Sequence, residues 1–514
     1  MATQQAAKQR TYGNISSLEV PGVLGLGLLG TTVAGIGAGL TMILLWVGSS
    51  VVLAVAVAVL TLPAVWIVQS KDGRGRSRME KMLAKRRNKI GRKKGHHRYV
   101  AGPASQLPGG RYAAPGLMAD TELIDAQTSF GQPFVMLWNA STETGSVFMG
   151  TSSAGVGLRD QGDVDLLVDA WSAFQRDAGS VAALVQVSVT TQTTADPGER
   201  LRDAVDVAQQ EAGAAERQGG FSAGVMDEVV NDLSQWTPRV EQWITLTFSA
   251  REHSDGSVPK RSPAELAQEI GSLIPGFSDL AGRSGGGAVQ MLTAVDIVDS
   301  THVAYNPTAA AAVERARLSR EGSGLTWDEV GPTFAEKRSS PLAHWAHEGA
   351  VSKSWQMFRP PSGTFRETGL APLLSPDGNF MQKRVTVFYR PSDPETSQRE
   401  VNSNITNAEF AMNQRNHKPS AGERLAVRKA NQAAEEQAIG AAMVRFSLMV
   451  TVTVESAEEL PRAEAAIRQR SSQGIQLRIR DCLENDDAGF AMNLGLGIVP
   501  SWVATLPDSV RRSL

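Results

Sequence analysis

Cysteine, phosphate-loop glycines, aromatic residues and, over one long stretch, charge itself are what this chain has least of. A single cysteine, Cys482, stands in 514 residues. No disulfide can close within the chain and no cysteine cluster can hold zinc, which suits a reducing compartment. Cys482 has no neighbouring base or motif that would make it a nucleophile and reads as a structural thiol. No G-x-x-x-x-G-K-[ST] run occurs, and no apolar strand ends in Asp-Glu, which excludes nucleotide hydrolysis by the phosphate-loop route. A G-x-S-x-G elbow for a nucleophilic serine is missing too. Aromatic residues make up 6%, with no aromatic–basic interleaving on which bases could stack. Finally, residues 20–70 contain no Asp, Glu, Lys or Arg.

That uncharged run of 51 residues is too long for one membrane crossing and right for two, since a helix needs roughly 20 apolar residues to cross. Gly48, Ser49 and Ser50 interrupt it, predicting spans at about 22–45 and 51–68. A cleaved signal peptide is the competing reading, but it would be shorter and start earlier. Lys71–Arg98 then carries thirteen Lys and Arg against two acids, and cations next to a span stay on the cytoplasmic side. The predicted topology is an inner (cytoplasmic) membrane hairpin with both termini inside the bacterial cell. Its neck (Arg74, Arg76, Arg78, Lys81, Lys85, Arg86, Arg87, Lys89, Arg92, Lys93, Lys94) would lie against anionic headgroups. A solvated charged linker is the plainer alternative.

The net charge of −2 conceals this asymmetry: residues 71–98 carry +11 and everything after them −14. A body so acidic argues against gripping nucleic acid over a broad surface. Beyond the neck and its Gly/Pro linker (71–117), strand and helix patterns alternate through a first α/β domain at 118–325. A connector at 326–380 and a second α/β domain at 381–514 follow. The hairpin Phe134–Trp138 and Ser146–Thr151, the helix Val164–Arg176, and the strands Val181–Thr190 and Trp243–Ser249 belong to the first cycle. Val289–Ile297 reads as another strand. Val385–Tyr389, the helix Ala421–Ala442, the strand Val444–Val454 and the helix Glu458–Gln473 belong to the second. Pro391–Asn407 reads as a polar, mobile loop. The predicted class is α+β, a transmembrane hairpin followed by ferredoxin-like split βαβ units.

Candidate chemistry is sparse. G-x-G-x-x-G occurs at Gly25, Gly27 and Gly30, but inside the first span, with no preceding strand and no acid some 20 residues on. With Gly35 and Gly39 it reads as a face for close helix packing (Gly27, Gly30, Gly35, Gly39). His344 and His347, with Glu348 beside them, could begin a metal site, yet the H-E-x-x-H order is absent. No cofactor is expected.

Tyr12, Gly13, Asn14, then Pro21, Gly22 and the run Gly27-Leu28-Leu29-Gly30, resemble a family of membrane proteins from actinobacterial conjugation loci. The tail from Ala488 to Gly497 is similar to the closing segment of that family and of the non-ATPase N-terminal half of type IV secretion ATPases, although Asn493 replaces an expected proline. The resemblance implies a scaffold subunit of a type IV secretion-like apparatus for conjugative DNA or protein transfer. Its partners would be a separate motor ATPase, other membrane subunits, sister copies and anionic lipids, and it would not itself be an enzyme. Two rivals stay open: a membrane-face enzyme built on His344, His347 and Glu348, and a nucleic-acid tether built on the neck.

Overall fold

The computed structural model describes residues 10, 12–13, 15, 28–47, 51–103, 105, 110–153, 155, 157–211, 224–226, 228–230, 238–251, 260–319, 322–339, 342–361, 363–413 and 421–503. The uncharged run forms two helices, α1 (Leu28–Trp46) and α2 (Val51–Gln69). Among the described helices α2, over Val51–Val68, is long and apolar enough to cross a membrane; the apolar part of α1, Gly30–Trp46, is shorter. Ala54 is buried between them, whereas Ile36, Met42, Trp46, Leu60 and Leu62 are exposed. Such a broad exposed apolar surface is unusual for a helix pair in water. Pro63 sits inside α2, a position membrane helices tolerate.

Next comes α3 (Arg78–Lys93), whose first turn is fixed by Ser77 accepting a hydrogen bond from the Glu80 N–H. Arg92 and Lys93 close its last turn, where cations favour the dipole. The strands β1 (Arg98–Val100), β2 (Thr121–Gln127), β3 (Pro133–Asn139) and β4 (Thr144–Thr151) lead into α4 (Gln161–Ser180) and β5 (Leu184–Ala195). The chain continues through α5 (Glu199–Glu211), β6 (Pro238–Ser249), α6 (Pro263–Ala281), β7 (Val289–Met291), α7 (Ala294–Tyr305) and α8 (Ala310–Leu318). Then come β8 (Phe334–Arg338), β9 (His344–His347), β10 (Ala350–Arg359), α9 (Ala371–Leu374) and β11 (Gln382–Pro391). Last are α10 (Pro394–Asn413), α11 (Ala421–Ala438), β12 (Val444–Val454), α12 (Leu460–Ser472), β13 (Arg478–Asp481) and α13 (Asp486–Met492).

All thirteen strands among the described residues join one antiparallel sheet, in the order β1-β8-β9-β10-β12-β11-β5-β6-β4-β3-β2, with β13 added beside β10 and β7 beside β4. Two connections recur. β4 and β5 are joined by α4 and both flank β6. β12 and β13 are joined by α12 and both flank β10. The strand order around the first is β7-β4-β6-β5 and around the second β13-β10-β12-β11. The two sets meet edge to edge through eight paired residues of β5 and β11. The sheet therefore runs unbroken across 325 and 380.

Apolar side chains sort to match. α4 and α6 bury Phe174, Leu266, Ile270 and Phe277 against Met136, Val187, Leu246 and Phe248. Leu460 and Ile467 of α12 pack with Trp355, Val385 and Val450. The opposite face is unusual, because a polar band crosses six strands there: Ser354, Thr451, Thr386, Thr190, Thr245 and Ser146 are all buried. Buried hydroxyls and amides need partners: Ser354 meets Thr451, Thr190 meets Thr386 and Ser146 meets Thr247 within the band, and the segment after α13 supplies others. The Gly495 carbonyl accepts from Thr245 Oγ1 at 2.6 Å, Gly497 from Thr247 Oγ1 at 3.4 Å, and Ile498 from Gln186 Nε2 at 3.2 Å. Such close backbone approach explains the glycines. Gly495 and Gly497 have φ of 71° and 85°, and a Cβ would overlap Thr190 Oγ1 or Ser146 Oγ.

Three sequence readings are corrected. The expected connector at 326–380 supplies β8, β9 and β10, with Trp355 fully buried. It reads as polar because Ser352, Lys353 and Ser354 are buried through hydrogen bonds to Thr453, the Ala343 carbonyl and Thr451. Pro391–Asn407 is mostly the helix α10, started by Asp393 accepting from the Thr396 N–H. Val289–Ile297 is a three-residue strand followed by a helix, because Thr293 and Asp296 form a capping box.

Gly497→Ala should lower stability by about 2–5 kcal/mol, combining left-handed backbone with overpacking. Gly378→Ala, with open space around it, should leave the unfolding midpoint of the detergent-solubilised chain nearly unchanged.

Candidate functional site: a cationic cleft behind the apolar helices

The basic neck is largely built into the body. Arg74 pairs with Asp481, and the guanidinium of Arg76, 4% exposed, donates to the Asp481 carbonyl. Arg92 donates to the Lys337 carbonyl and to Ser339 Oγ, both at 3.0 Å. Asn88 donates to Glu484, and Glu80 faces Arg480 at 3.8 Å. Arg78 stacks over the Trp66 ring of α2 at 3.8 Å, a cation–π contact at the junction of the two helices. Lys81 pairs with Asp72. Burial disfavours the Asp72 carboxylate, yet Lys81 and the N–H groups of Arg76 and Arg74 hold it down to about 2. Of the cations predicted to meet headgroups, Arg74, Arg76 and Arg92 thus turn to protein, because Asp481 and the β8 edge lie opposite them. Lys85, Arg86, Arg87, Lys89, Lys93 and Lys94 remain exposed.

Between α3 and the α10–α11 pair lies a cleft of about 2950 Å³. One wall is α3, with Leu83, Arg86, Arg87 and Ile90; the other is Arg399 and Asn404 of α10 with Leu425 and Lys429 of α11. Phe388, Arg390, Arg445 and Phe446 on β11 and β12 line it, together with Phe490 and Met492 of α13. Tyr12 and Gly13, ahead of α1, and Lys71 and Arg76, just after α2, line it as well. Tyr12 is held by a pair of 2.8 Å backbone hydrogen bonds with Phe365. The tyrosine and glycine singled out in sequence are therefore cleft residues, and Ala488, Phe490 and Met492 of the closing run line it too. Asn14 and Gly27 lie outside the described residues.

The lining carries fourteen lysines and arginines against three carboxylates. Each carboxylate already faces a lining cation: Glu80 meets Arg480, Glu400 meets Arg445, and Asp487 meets Lys337 at 3.1 Å. Seven of these cations come from the neck and seven from the acidic body beyond it. Composition could not reveal this, because Arg359, Arg390, Arg399, Lys429, Arg445 and Arg480 are scattered over more than a hundred residues.

The glycines of α1 sort into two kinds. Gly30 is buried, but Gly35 and Gly39 have open space beside them, and the contact between α1 and α2 passes through Gly37, where a Cβ would overlap Thr61. The histidine pair is not assembled as a site. His347 is 2% exposed, its Nδ1 meeting the Tyr305 carbonyl and its Nε2 Ser352 Oγ. His344 Nδ1 meets the Leu342 carbonyl, and Glu348 accepts from the Thr333 N–H. Among the described residues no group of three or more His, Cys, Asp or Glu is placed to hold a metal ion. Burial pushes the Cys482 thiol up, which removes its nucleophilic form.

Two buried groups titrate with opposite sign. Burial lowers His347 to about 4, so its share of stability is present above pH 6.5 and lost as pH falls through 4. Burial raises Asp486 to about 7, against the pull of Lys353 and the Ser354 N–H, so its share is present below pH 4 and lost as pH rises through 7. Relative to the unsubstituted chain, Asp486→Asn should lose stability on acidification from pH 7 to 4, and His347→Gln should gain it. Each effect should reach up to about 1.4 kcal/mol per pH unit, read from unfolding midpoints across a pH series.

No protein-family model and no curated protein matches the chain.

Proposed function

We propose that the chain is an inner-membrane scaffold subunit of a conjugative, type IV secretion-like transfer apparatus, and that it docks a separate motor ATPase. α1 and α2 act as a two-span hairpin with both termini in the cytoplasm, and each half of the sheet is a ferredoxin-like unit. The strand orders β7-β4-β6-β5 and β13-β10-β12-β11 support that reading of the halves. Open space beside Gly35 and Gly39 supports packing of α1 against sister copies or other membrane subunits.

The observation that carries the proposal is the continuity of anchor and body. An apolar helix passes through the Arg78–Trp66 stack into a cationic helix clamped to the sheet domain by Asp481 and Glu484. A tether would need no such clamp, whereas a subunit that transmits or resists force does. The transfer role itself rests on the resemblance at both ends of the chain, and the lack of a phosphate loop in the sequence supports a separate motor.

Purification from native membranes through a C-terminal tag should bring down a large phosphate-loop ATPase and multi-span proteins in constant ratio. Recovery of the chain alone, or from the soluble fraction, would contradict the proposal. The topology has its own test, since the buried Cys482 makes the natural chain a blank for thiol reagents. Ser49→Cys should react with a membrane-impermeant maleimide in intact cells, and Ser339→Cys only after permeabilisation.

A further inference from the structure

The cleft lies where two chain segments pass between the body and the apolar helices. Tyr12 and Gly13 line it from before α1, and Lys71 lines it two residues after α2 ends at Gln69. On the membrane reading proposed above, its mouth therefore opens at the level of the lipid headgroups. Its cations outnumber its carboxylates fourteen to three, and all three carboxylates are already engaged. Apolar side chains alternate with the charge on both walls, Leu83 and Ile90 on one and Leu425 and Ala426 on the other. At about 2950 Å³ it exceeds the roughly 300–1,000 Å³ usual for a small-molecule pocket.

We infer that this cleft seats anionic phospholipids, their phosphate-bearing headgroups against the cations of α3 and α11 and their glycerol and upper acyl regions against the apolar wall residues. The mixture of charge and hydrocarbon fits an amphiphile better than a bare anion. A nucleic acid would have to approach between an anionic membrane surface, which attracts cations and repels phosphates, and a body whose charge beyond the neck is −14. Headgroup contact is then not a property of the whole neck. It belongs to the residues that face the cleft, Arg86, Arg87 and Lys94, joined by Lys429 from a helix more than 300 residues away in sequence.

The full chain, purified in mild detergent, is titrated with phosphatidylglycerol, with phosphatidylcholine, with inorganic phosphate and with a single-stranded oligonucleotide, and bound ligands are counted by native mass spectrometry. Phosphatidylglycerol should be retained in preference to phosphatidylcholine and should not be displaced by phosphate or oligonucleotide. Arg86→Glu/Arg87→Glu should weaken retention about tenfold or more, taking each surface cation at about 1 kcal/mol. Lys429→Glu, on the opposite wall, should weaken it several-fold with an unchanged unfolding midpoint. Lys89→Glu/Lys93→Glu, outside the cleft on the same helix, should have a much smaller effect than the arginine pair. Equal losses in the two α3 doubles, no preference for the anionic lipid, or displacement by oligonucleotide or by phosphate would each overturn the inference. The membrane reading fails separately, if alkaline carbonate strips the chain from native membranes.

Discussion

The polar band across the sheet and the carbonyls laid over it are the constraint on which the rest of the structure depends. Six strands bury Ser, Thr, Gln and Arg side chains on one face, and a sheet with such a face could not persist against an apolar cover. A hydrogen bond adds only about 1 kcal/mol net, but a buried polar group left without a partner costs about 1–3 kcal/mol. Hydroxyl pairs within the band meet part of this demand, and the segment from Asn493 to Ile498 meets more of it with backbone groups: Thr245, Thr247, Trp243 and Gln186 all donate to its carbonyls. The Asn493 amide donates back to the Arg384 carbonyl. Only glycine at 495 and 497 lets that backbone come close enough.

The cleft follows from this cover. Fixing the closing segment fixes α13 ahead of it, through Asp486 and the Ser354 N–H, and with α13 the stretch Asp481–Asp487. That stretch offers Asp481 to Arg74 and Glu484 to Asn88, so the cationic helix is held by charge placed at the far end of the sequence. The band, the cover, the acidic stretch and α3 form one chain of dependence from the sheet to the apolar helices. A charge-rich helix next to an apolar span is commonly drawn as lying on the bilayer. Here its partners decide which cations hold protein and which stay exposed.

The parts visible in the sequence are those set by local pattern. The uncharged run, the strand Val444–Val454, the capped helix that follows it and the basic neck all announce themselves through periodicity or charge. β10 does not, because its alternation is Ser-Lys-Ser on a buried face and so mimics a loop. α10 does not, because a helix that lines a wet, charged cleft needs no apolar stripe. The helix contact at Gly37 was hidden between two better-spaced glycines, Gly35 and Gly39. The cleft is the least legible of all, since its cations come from α3, β10–β13, α10 and α11 and are diluted in the linear charge by the acids of the body.

The most direct measurement of the central claim, that the cationic helix is clamped to the body, is a cross-link between them. Asn88→Cys and Glu484→Cys, in a Cys482→Ala background and in native membranes, place two thiols where the paired side chains now touch. The account predicts rapid cross-linking by a short bis-maleimide, with little between Met82→Cys, exposed on α3 away from that contact, and Glu484→Cys. An Asn88–Glu484 pair that fails to cross-link while both thiols label singly would show the helix lying free of the body, and would contradict it.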